Sequence, residues 1–491
     1  MTTIDPTDST RSKTALVLYP ASQSYVVETL RTAFSQQPEP WNFYTDRNDL
    51  KPDEKPDVQW SDYDELDWDW AMDDARLLNS FAIRKALIRK SNLSHTIALY
   101  LSKHPASPLR RAAPKTVHFN CSFADELDEL LMDDLYEVEQ SFRDSEEGRV
   151  DAPTWWILKA ALADKGNGIR LFSTRQALED IFQEFEPESD EDEDEDEDER
   201  DSDVNAPEGR AALFGVDTRV DSTQMREWVI QEYIADPLLL DPGPGSNEHG
   251  TKFHLRVYVV AVGGLRVYVH HPYLALFAPV PYVRPGSDAT GAPAEFDLSS
   301  HLTNTCLQTS VLGDEAPQVS VACLQQLADK TILSRGAHEG ERLGEERIRE
   351  IERGVQETVA ELFRAAIGAG SSFQCLPNAF EIFGVDFLVS SDFQVSLLEV
   401  NACPDFAQTG PALQSIISNL FASTIEVAVS PFFASASDDK AAQIQHGEGR
   451  EGGRLDDDGG QLEAAFEQMG LVDAKRGGLK KVLDVQVSKA W

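Results

Sequence analysis

Apolar positions along the chain gather into short runs closed by proline, glycine or charge, and their spacing predicts an α+β protein without internal repeats. Thr14-Ala-Leu-Val-Leu-Tyr-Pro20 has the length of a strand with a stop. Val26, Leu30 and Phe34 follow at helical spacing, so a βα unit opens the chain. Residues 40–75, rich in Asp, Trp and Pro, read as loop with one short strand. A helix is predicted through Phe81, Ala82, Lys85 and Leu87, and an acidic, leucine-bearing one over Asp125–Phe142. A dense alternation comes next: strand Trp155–Leu158, a glycine turn over Asp164–Gly168, strand Ile169–Phe172 and helix Thr174–Phe185. Trp228–Ile234 reads as a further strand. Phe253–Val262 and Leu265–His270 form a hairpin, because Gly263-Gly264 supplies the positive-φ turn. Leu324–Ile367 reads as mostly helical with a polar break near Gly336–Gly340. Glu381–Val389 and Val395–Val400 make a second hairpin, and a helix near Ala412–Val427 closes the fold.

These elements divide into a disordered lead-in (1–13), a small N-terminal α/β domain (14–120), a central domain (121–240), a C-terminal domain (250–432) and a low-complexity tail (433–491) with at most one helix in its last thirty residues. The central domain carries a disordered acidic insert over 186–224. Between Glu186 and Asp203 fourteen acidic residues stand against the single base Arg200, and such a tract self-repels and buries too little apolar area to fold alone.

Composition changes the picture in three ways. The 491 residues are 41% hydrophobic, enough for the cores of two or three domains. The formal charge of −41 excludes binding to a bare polyphosphate backbone, so no nucleic-acid partner is expected. Five scattered cysteines without a CxxC pair exclude a disulfide scaffold or zinc finger and fit a reducing compartment. The polar start MTTIDPTDSTRSK lacks the apolar stretch of a signal peptide, and no uncharged apolar run approaches the roughly 20 residues of a membrane span. A cytoplasmic protein without membrane contact is expected.

Candidate chemistry lies between Lys159 and Asn401. On the second hairpin, strand alternation puts Glu399 and Asn401 on one face, and Asp386 on the partner strand can face them. Two carboxylates and an amide oxygen form a hard oxygen set suited to Mg2+, and Leu397, Leu398 and Val400 embed Glu399 in apolar neighbours where an unpaired carboxylate would be costly. Lys159 ends an apolar strand shortly before the turn Lys165-Gly166-Asn167-Gly168. That arrangement can hold nucleotide phosphates, or be a surface lysine and an ordinary turn. Gln231-Glu232-Tyr233-Ile234 ends the next strand, whose edge can read adenine through backbone groups or be simply half-buried. Lys252, His254 and Arg256 share a strand face that wants an anion or faces solvent. His301-Leu-Thr-Asn304 is a polar loop of no specificity by itself.

The order of these pieces resembles the ATP-grasp fold, in which two α+β halves hold ATP between them, and more narrowly the tubulin–tyrosine ligase family. That family's WxxK strand, (K/R)GxG turn, VIQxYI…PLLL, KFDIRxYVLV, HLTN and FExFGxDF…LLEVNxxP stand here as Trp156–Lys159, Lys165–Gly168, Val229–Ile234 with Pro237–Leu240, Lys252–Val260, His301–Asn304 and Phe380–Pro404. The match covers roughly residues 150–430 and looks most like a fungal branch of the family. The resemblance implies a ligase in which ATP phosphorylates a carboxylate and the amine of a free amino acid attacks the acylphosphate. It implies ATP and Mg2+ as cofactors. Lys159, Lys165, Gly166 and Gly168 would bind phosphates, with Lys252 and His254 beside them, and Gln231, Glu232, Tyr233 and Ile234 the adenine. Arg256 and Asn304 would act on the acyl intermediate, and Asp386, Glu399 and Asn401 would hold the metal.

Three departures stand out. His254 replaces the aspartate of KFDIR, Glu232 replaces the lysine of QKY, and Leu276 stands where ligases carry an arginine in a pattern like GxxRxA. Losing that charge would cost several orders of magnitude in rate, so a non-catalytic nucleotide-binding scaffold of a cytoplasmic assembly is the alternative to a ligase. The partner expected from the resemblance is tubulin or another acidic protein. From Arg76 to Ala124 nine Lys and Arg occur with no acid, and that segment is either its docking face or a solvated surface.

Overall fold

A computed structural model describes residues 12–51, 54–161, 167–186, 219–241, 250–286, 298–303, 321–406, 414–434 and 478–485. The βα opening stands as expected, with strand β1 (Lys13–Leu16) followed by helix α1 (Ser24–Ser35). Strands β2 (Trp41–Tyr44), β3 (Val58–Gln59) and β4 (Leu77–Leu78) join β1 in a parallel sheet of order β2-β1-β3-β4. The chain runs from β1 to β2 on one side and returns to β3 on the other, so the winding reverses between β1 and β3.

Three short helices follow, α2 (Lys85–Ile88), α3 (Lys90–Lys103) and α4 (Leu109–Ala112). The helix expected through Phe81 begins only at Lys85. Phe81 is fully buried in extended chain, and its N–H donates to the Glu381 carboxylate at 3.0 Å, a bond a helix would forbid.

The central layer is an antiparallel sheet of order β5-β8-β6-β7, made of β5 (Thr116–Asn120), β6 (Trp156–Ala160), β7 (Arg170–Phe172) and β8 (Glu227–Glu232). Residues 14–120, expected as one unit, therefore feed two sheets, because β5 pairs with β8. Helices α5 (Leu127–Leu130), α6 (Tyr136–Glu146) and α7 (Arg175–Phe185) cover one face. The long helix predicted over Asp125–Phe142 is broken between Leu130 and Tyr136. Its apolar register survives the break, since Leu127, Leu131, Leu135, Val138 and Phe142 all bury in the same core. Thr174 caps α7 through its side-chain oxygen. Trp156, Leu158 and Ala160 of β6 and Trp228 and Ile230 of β8 point into that core, which turns Lys159 and Gln231 to the opposite face.

The third layer is an eight-stranded sheet built from β9 (Leu239–Leu240), β10 (Thr251–Val262), β11 (Arg266–His270), β12 (Leu274–Phe277), β13 (Val321–Cys323), β14 (Phe380–Val389), β15 (Val395–Asn401) and β16 (Leu479–Asp484). Both hairpins form as predicted. Strand β10 lies at the centre, pairing with β9, β11, β12 and β14, and is buried on both faces. Its odd-numbered residues from Phe253 to Ala261 pack in the core that holds helix α8 (Gly344–Ile367). Of the even-numbered ones, Tyr258, Val260 and Val262 pack with helix α9 (Gln414–Thr424) and the N-terminal layer. Lys252, His254 and Arg256 continue that even face.

Two corrections concern the C-terminal half. The helix predicted over Leu324–Ile367 starts at Gly344, because Gly336 and Gly340 take φ of +139° and +82° and Thr331 and Ile332 form β-bridges instead. The tail predicted over 433–491 holds a strand where at most a helix was expected. Residues Leu479–Asp484 close the free edge of β11, with Leu479 and Leu483 buried. Helix α9 and its continuation to Ala434 are long and apolar enough to cross a membrane, a stretch the sequence reading discounted. Here Ile416, Ile417, Leu420 and Phe421 pack in the core beside α1.

The predicted lead-in over 1–11, the insert over 187–218 and the tail over 435–477 and 486–491 lie outside the described residues.

Candidate active site

Three neighbouring strands set a row of charges side by side. Arg256 of β10 is in register with Asp386 of β14, and Asp386 with Glu399 of β15. The Arg256 guanidinium grips both oxygens of Asp386, through Nε to Oδ1 and through Nη2 to Oδ2 at 3.0 Å. Burial works against the Arg256 charge, but the Asp386 carboxylate outweighs it and moves the guanidinium pKa up. Asn401 Nδ2 donates to Asp386 Oδ2 at 3.2 Å and to Glu399 Oε1 at 3.3 Å. The metal set expected from the sequence is thus assembled on one face.

A register shift in the β14–β15 pairing makes this possible. Asp386 pairs with Glu399 and Phe387 with Leu397, so Leu398 is the extra residue of a β-bulge. Unbroken alternation from Val395 and Leu397, both buried in the α8 core, would carry Glu399 into that core. The bulge shifts the phase by one residue, so Glu399 and Asn401 face the site while Val400 returns to the core. Gly384 makes room beside them. A Cβ there would lie 2.9 Å from Pro404 Cβ and 3.3 Å from Arg256 Cδ, so only glycine lets the arginine lie across β14.

The donor set fits Mg2+. Among the described residues no group of three or more His, Cys, Asp or Glu could hold a metal. The set here is two carboxylates and an amide, hard oxygens of the kind that bind Mg2+ together with phosphate and water. The Asn401 amide now satisfies both carboxylates with its N–H groups. Turned over, it presents Oδ1 alongside them.

Cations line the rest of the face. Lys252 is buried, and its Nζ donates to the Tyr233 hydroxyl at 3.1 Å and to the His301 carbonyl at 2.8 Å, tying β10 to the end of β8 and to the loop after residue 298. Burial, and then Lys159, pushes its pKa down to about 7. Lys159 Nζ donates to Gln231 Oε1 at 2.8 Å, and Gln231 Nε2 in turn donates to Thr116 Oγ1 at 3.1 Å. Burial pushes Lys159 down to about 8, with Glu399 opposing and Lys90 adding to the shift. His254 is bonded through Nδ1 to the Thr303 hydroxyl. Its buried Nε2 finds no hydrogen-bond partner among the described residues and lies 3.8 Å from Asp386 Oδ1. Burial, and then Arg256, drives this histidine down to about 3, so it is neutral at pH 7. Leu276 of β12 is in register with His254, so the arginine missing from the ligase pattern is missing from this face.

Of the other expected residues, Gly168 is required twice over, by φ of +68° and by a would-be Cβ only 3.0 Å from Val220 and 3.2 Å from Ala160. The adenine-reading edge needs correction. Strand β8 is interior, and the N–H groups of Glu232 and Tyr233 donate to the carbonyls of Lys115 and Trp155 at 2.8 Å each, leaving Ile234 as the first residue past the ladder. Lys165, Gly166 and Asn304 lie outside the described residues. Sequence reasoning missed Thr116, Lys90 and Thr303. A cavity of about 330 Å³ beside Lys159 and Gln231 is walled by α3, β5 and Leu397–Leu398, with Lys90, Arg110 and Lys115 on its rim. The acid-free stretch from Arg76 to Ala124 was the one available signal for that wall.

Comparison with known proteins agrees with the fold. The sequence profile of the tubulin-tyrosine ligase family matches residues 71–437. A probable tubulin–tyrosine ligase of Schizosaccharomyces pombe, C12B10.04, is 36% identical over 382 residues, 77% of this chain and 84% of that protein. The probable tubulin–tyrosine ligase PBY1 of Saccharomyces cerevisiae is 36% identical over 377 residues, 76% of this chain but only 46% of that protein, so the match spans less than half of it. The crystal structure of the C-terminal domain of K. lactis Pby1, described as an ATP-grasp enzyme interacting with the mRNA decapping enzyme Dcp2, superposes with a TM-score of 0.61 at 28% identity, covering 96% of this chain and 100% of that one. The α+β, ATP-grasp architecture read from the sequence is therefore the observed one.

Proposed function

The chain belongs to the tubulin–tyrosine ligase family, and from that premise we propose that it is an ATP- and Mg2+-dependent carboxylate–amine ligase adding an amino acid to a protein carboxylate. In this reaction a carboxylate oxygen attacks the γ-phosphorus of ATP and releases ADP. The amine of the amino acid then attacks the acylphosphate carbon, phosphate leaves, and the ammonium proton passes to solvent or base. The observation that carries the reading is the row Arg256–Asp386–Glu399 with Asn401 beside it, together with the buried Lys252 and the half-buried Lys159. Magnesium bound to ATP would supply charge neutralisation on the transferring phosphoryl group, held by Asp386, Glu399 and Asn401. Lys159 and Lys252, with Lys165 and the glycines Gly166 and Gly168, bind phosphates. Gln231 to Ile234 receive the base, Ile234 with its backbone and Gln231 with its amide. Arg256 orients Asp386 and, with Asn304, neutralises the acyl intermediate. His254, a neutral imidazole, donates or accepts one hydrogen bond at Nε2.

The acceptor in this reading is tubulin or another acidic protein, met in the cytoplasm. The Lys90, Arg110 and Lys115 rim gives such a partner a local positive surface on a chain of net charge −41. A second reading, a nucleotide-binding scaffold without ligase activity, is favoured by Leu276 opposite His254. The K. lactis neighbour's partnership with a decapping enzyme is a precedent for such a role.

Thermal denaturation with and without Mg·ATP tests the shared core of both. At a hundredfold excess over Kd, binding adds about 2.7 kcal/mol, a rise of a few degrees in Tm. Wild type is expected to show it and Glu399→Gln to lose it. No rise in wild type overturns the reading. Labelled amino acid incubated with Mg·ATP and tubulin then separates the two, since a scaffold transfers no label.

A further inference from the structure

A second cavity among the described residues lies away from the lysines, at the junction of the first sheet with β14 and the chain that follows β15. It measures about 370 Å³. Its floor is formed by the carboxyl ends of β1, β3 and β4, where Tyr19, Ser61, Asp62 and Asn79 emerge. This is where the winding of the parallel sheet reverses, between β1 and β3, and the crevice at such a reversal is where open parallel sheets bind ligands.

Its chemistry is specific. The walls carry three carboxylates, those of Asp62, Glu381 and Asp405, against one guanidinium, that of Arg84. Arg84 is already neutralised: its Nε lies 2.7 Å from Glu381 Oε1, with both side chains buried, and its guanidinium stacks 3.8 Å from the centre of the Tyr63 ring. The fold thus shows, in one wall, the mode by which this pocket receives a cation, a carboxylate from one side and an aromatic face from the other. Asp62 stands next to that pair with Tyr19, Trp60 and Tyr63 around it. One Asp62 oxygen accepts from the backbone N–H of Asp64 at 3.3 Å, and the rest of the carboxylate remains available. The local field is negative. The Cys403 thiol at the rim is pushed up to about 11, by burial and then by Glu381, and Asp62 adds to the shift.

The cavity and the charge row lie along the same strand. Ile382 in its wall and Asp386 in the charge row lie on the same face of β14, four residues or about 13 Å apart. The only residue between them on that face is Gly384, against which Pro404 of the cavity wall and the Arg256 side chain both lean.

We propose that this cavity is the side-chain pocket for a basic amino acid, with Asp62 and the surrounding rings receiving its ammonium or guanidinium. This rests on the ligase reading and deepens it. The chemistry is shared by two sources, the free amino acid that serves as the amine, and a lysine or arginine within the acceptor chain. An acidic side chain is disfavoured beside Asp62, with Arg84 already engaged by Glu381.

Calorimetric titration of the full chain, in the presence of a non-hydrolysable Mg·ATP analogue, tests this with L-arginine, L-lysine, L-glutamate and the N-acetyl amide of arginine. Arginine or lysine is expected to bind and glutamate not. Binding of the free amino acid alone assigns the pocket to the amine donor, and equal binding of the blocked amide assigns it to a residue of the acceptor. Asp62→Asn keeps the cap on Asp64 and is expected to weaken binding about tenfold or more, while leaving the Mg·ATP-dependent rise in Tm intact. Glutamate binding as well as arginine, an unchanged Asp62→Asn, or no binding by either basic ligand while Mg·ATP still binds would each overturn the pocket and leave the nucleotide reading standing. Loss of the Mg·ATP effect in wild type would instead overturn that reading.

Discussion

In the proposed nucleotide site two lysines with lowered proton affinity, Lys252 buried and Lys159 half-buried, make binding a proton-linked event, and its size follows from the structure. With pKa values of about 8 for Lys159 and about 7 for Lys252, the free protein at pH 8 holds about half a proton on the first and about a tenth on the second. Phosphate oxygens against these ammonium groups restore full protonation, because an adjacent opposite charge favours the charged form. Binding of Mg·ATP at pH 8 then takes up about 1.4 protons, and at pH 6, where both lysines are already charged, about 0.1. The sign is fixed by linkage. A ligand that raises the pKa of a base binds more weakly as pH rises, so affinity falls by roughly tenfold or more per unit near pH 8 and is nearly flat near pH 6. Titration calorimetry in buffers of different ionisation enthalpy, with a non-hydrolysable analogue, reads the uptake directly. Lys252→Met is expected to remove about 0.9 proton at pH 8, nearly all that Lys252 contributes. An uptake near zero at pH 8, or one that Lys252→Met leaves unchanged, would refute the placement of these lysines against phosphate.

Gly384→Ala pushes a methyl group into Pro404 and Arg256, an overpacking worth about 1–3 kcal/mol, and lifts the guanidinium from Asp386. Denaturant unfolding is expected to show the loss, together with a smaller Mg·ATP-induced rise in Tm. Arg84→Met strands the Glu381 carboxylate in the interior at a cost of about 3–5 kcal/mol. Burial already raises Glu381 to about 8, and a folded pKa above the unfolded value makes stability fall as pH rises towards it. The deficit in Tm is therefore expected to be larger at pH 8 than at pH 5, and a deficit equal at both would count against a buried charge. Removing residues 478–491 uncovers the edge of β11 and the sites of Leu479 and Leu483, worth about 1.5–3 kcal/mol each. A lower Tm with a new tendency to self-associate in light scattering is expected, and an unaltered Tm would mean that β16 does not dock.

Much of the active face was legible because its residues obey local periodicity. Lys252, His254 and Arg256 at alternate positions of one strand share a face in any β-structure, and the Asp386 and Glu399–Asn401 segments flank a short connection that can only be a hairpin. What was not legible depends on partners distant in sequence. The Leu398 bulge leaves no local mark, since Leu397-Leu398-Glu399 reads as plain alternation until α8 claims Val395, Leu397 and Val400 for the core. Thr116 orients Gln231 from a strand 115 residues earlier, which no window of sequence connects. Strand β16 is six residues with two lysines. Its strand state comes from the free edge of β11 and not from its own propensity.

The two halves of the site each lack the charge the other cannot supply. On one side Lys252 is buried and Lys159 half-buried, and both lose proton affinity, with Glu399 opposing the shift of Lys159 only in part. On the other, Asp386 and Glu399 share the N–H groups of a single amide, and only Asp386 has an arginine. Burying ionisable groups in this way lowers stability, and no packing advantage here requires lysine over a neutral side chain. A magnesium polyphosphate completes both halves at once, giving anionic oxygens to the lysines and a cation to the carboxylates. That favours retained nucleotide binding whether or not transfer follows. In the proposed reaction the arginine replaced by Leu276 bears on the second step, because the in-register position beside His254 adjoins Arg256 and Asp386, where the acyl intermediate would form, and not the Lys159–Gln231 end, where the base would sit.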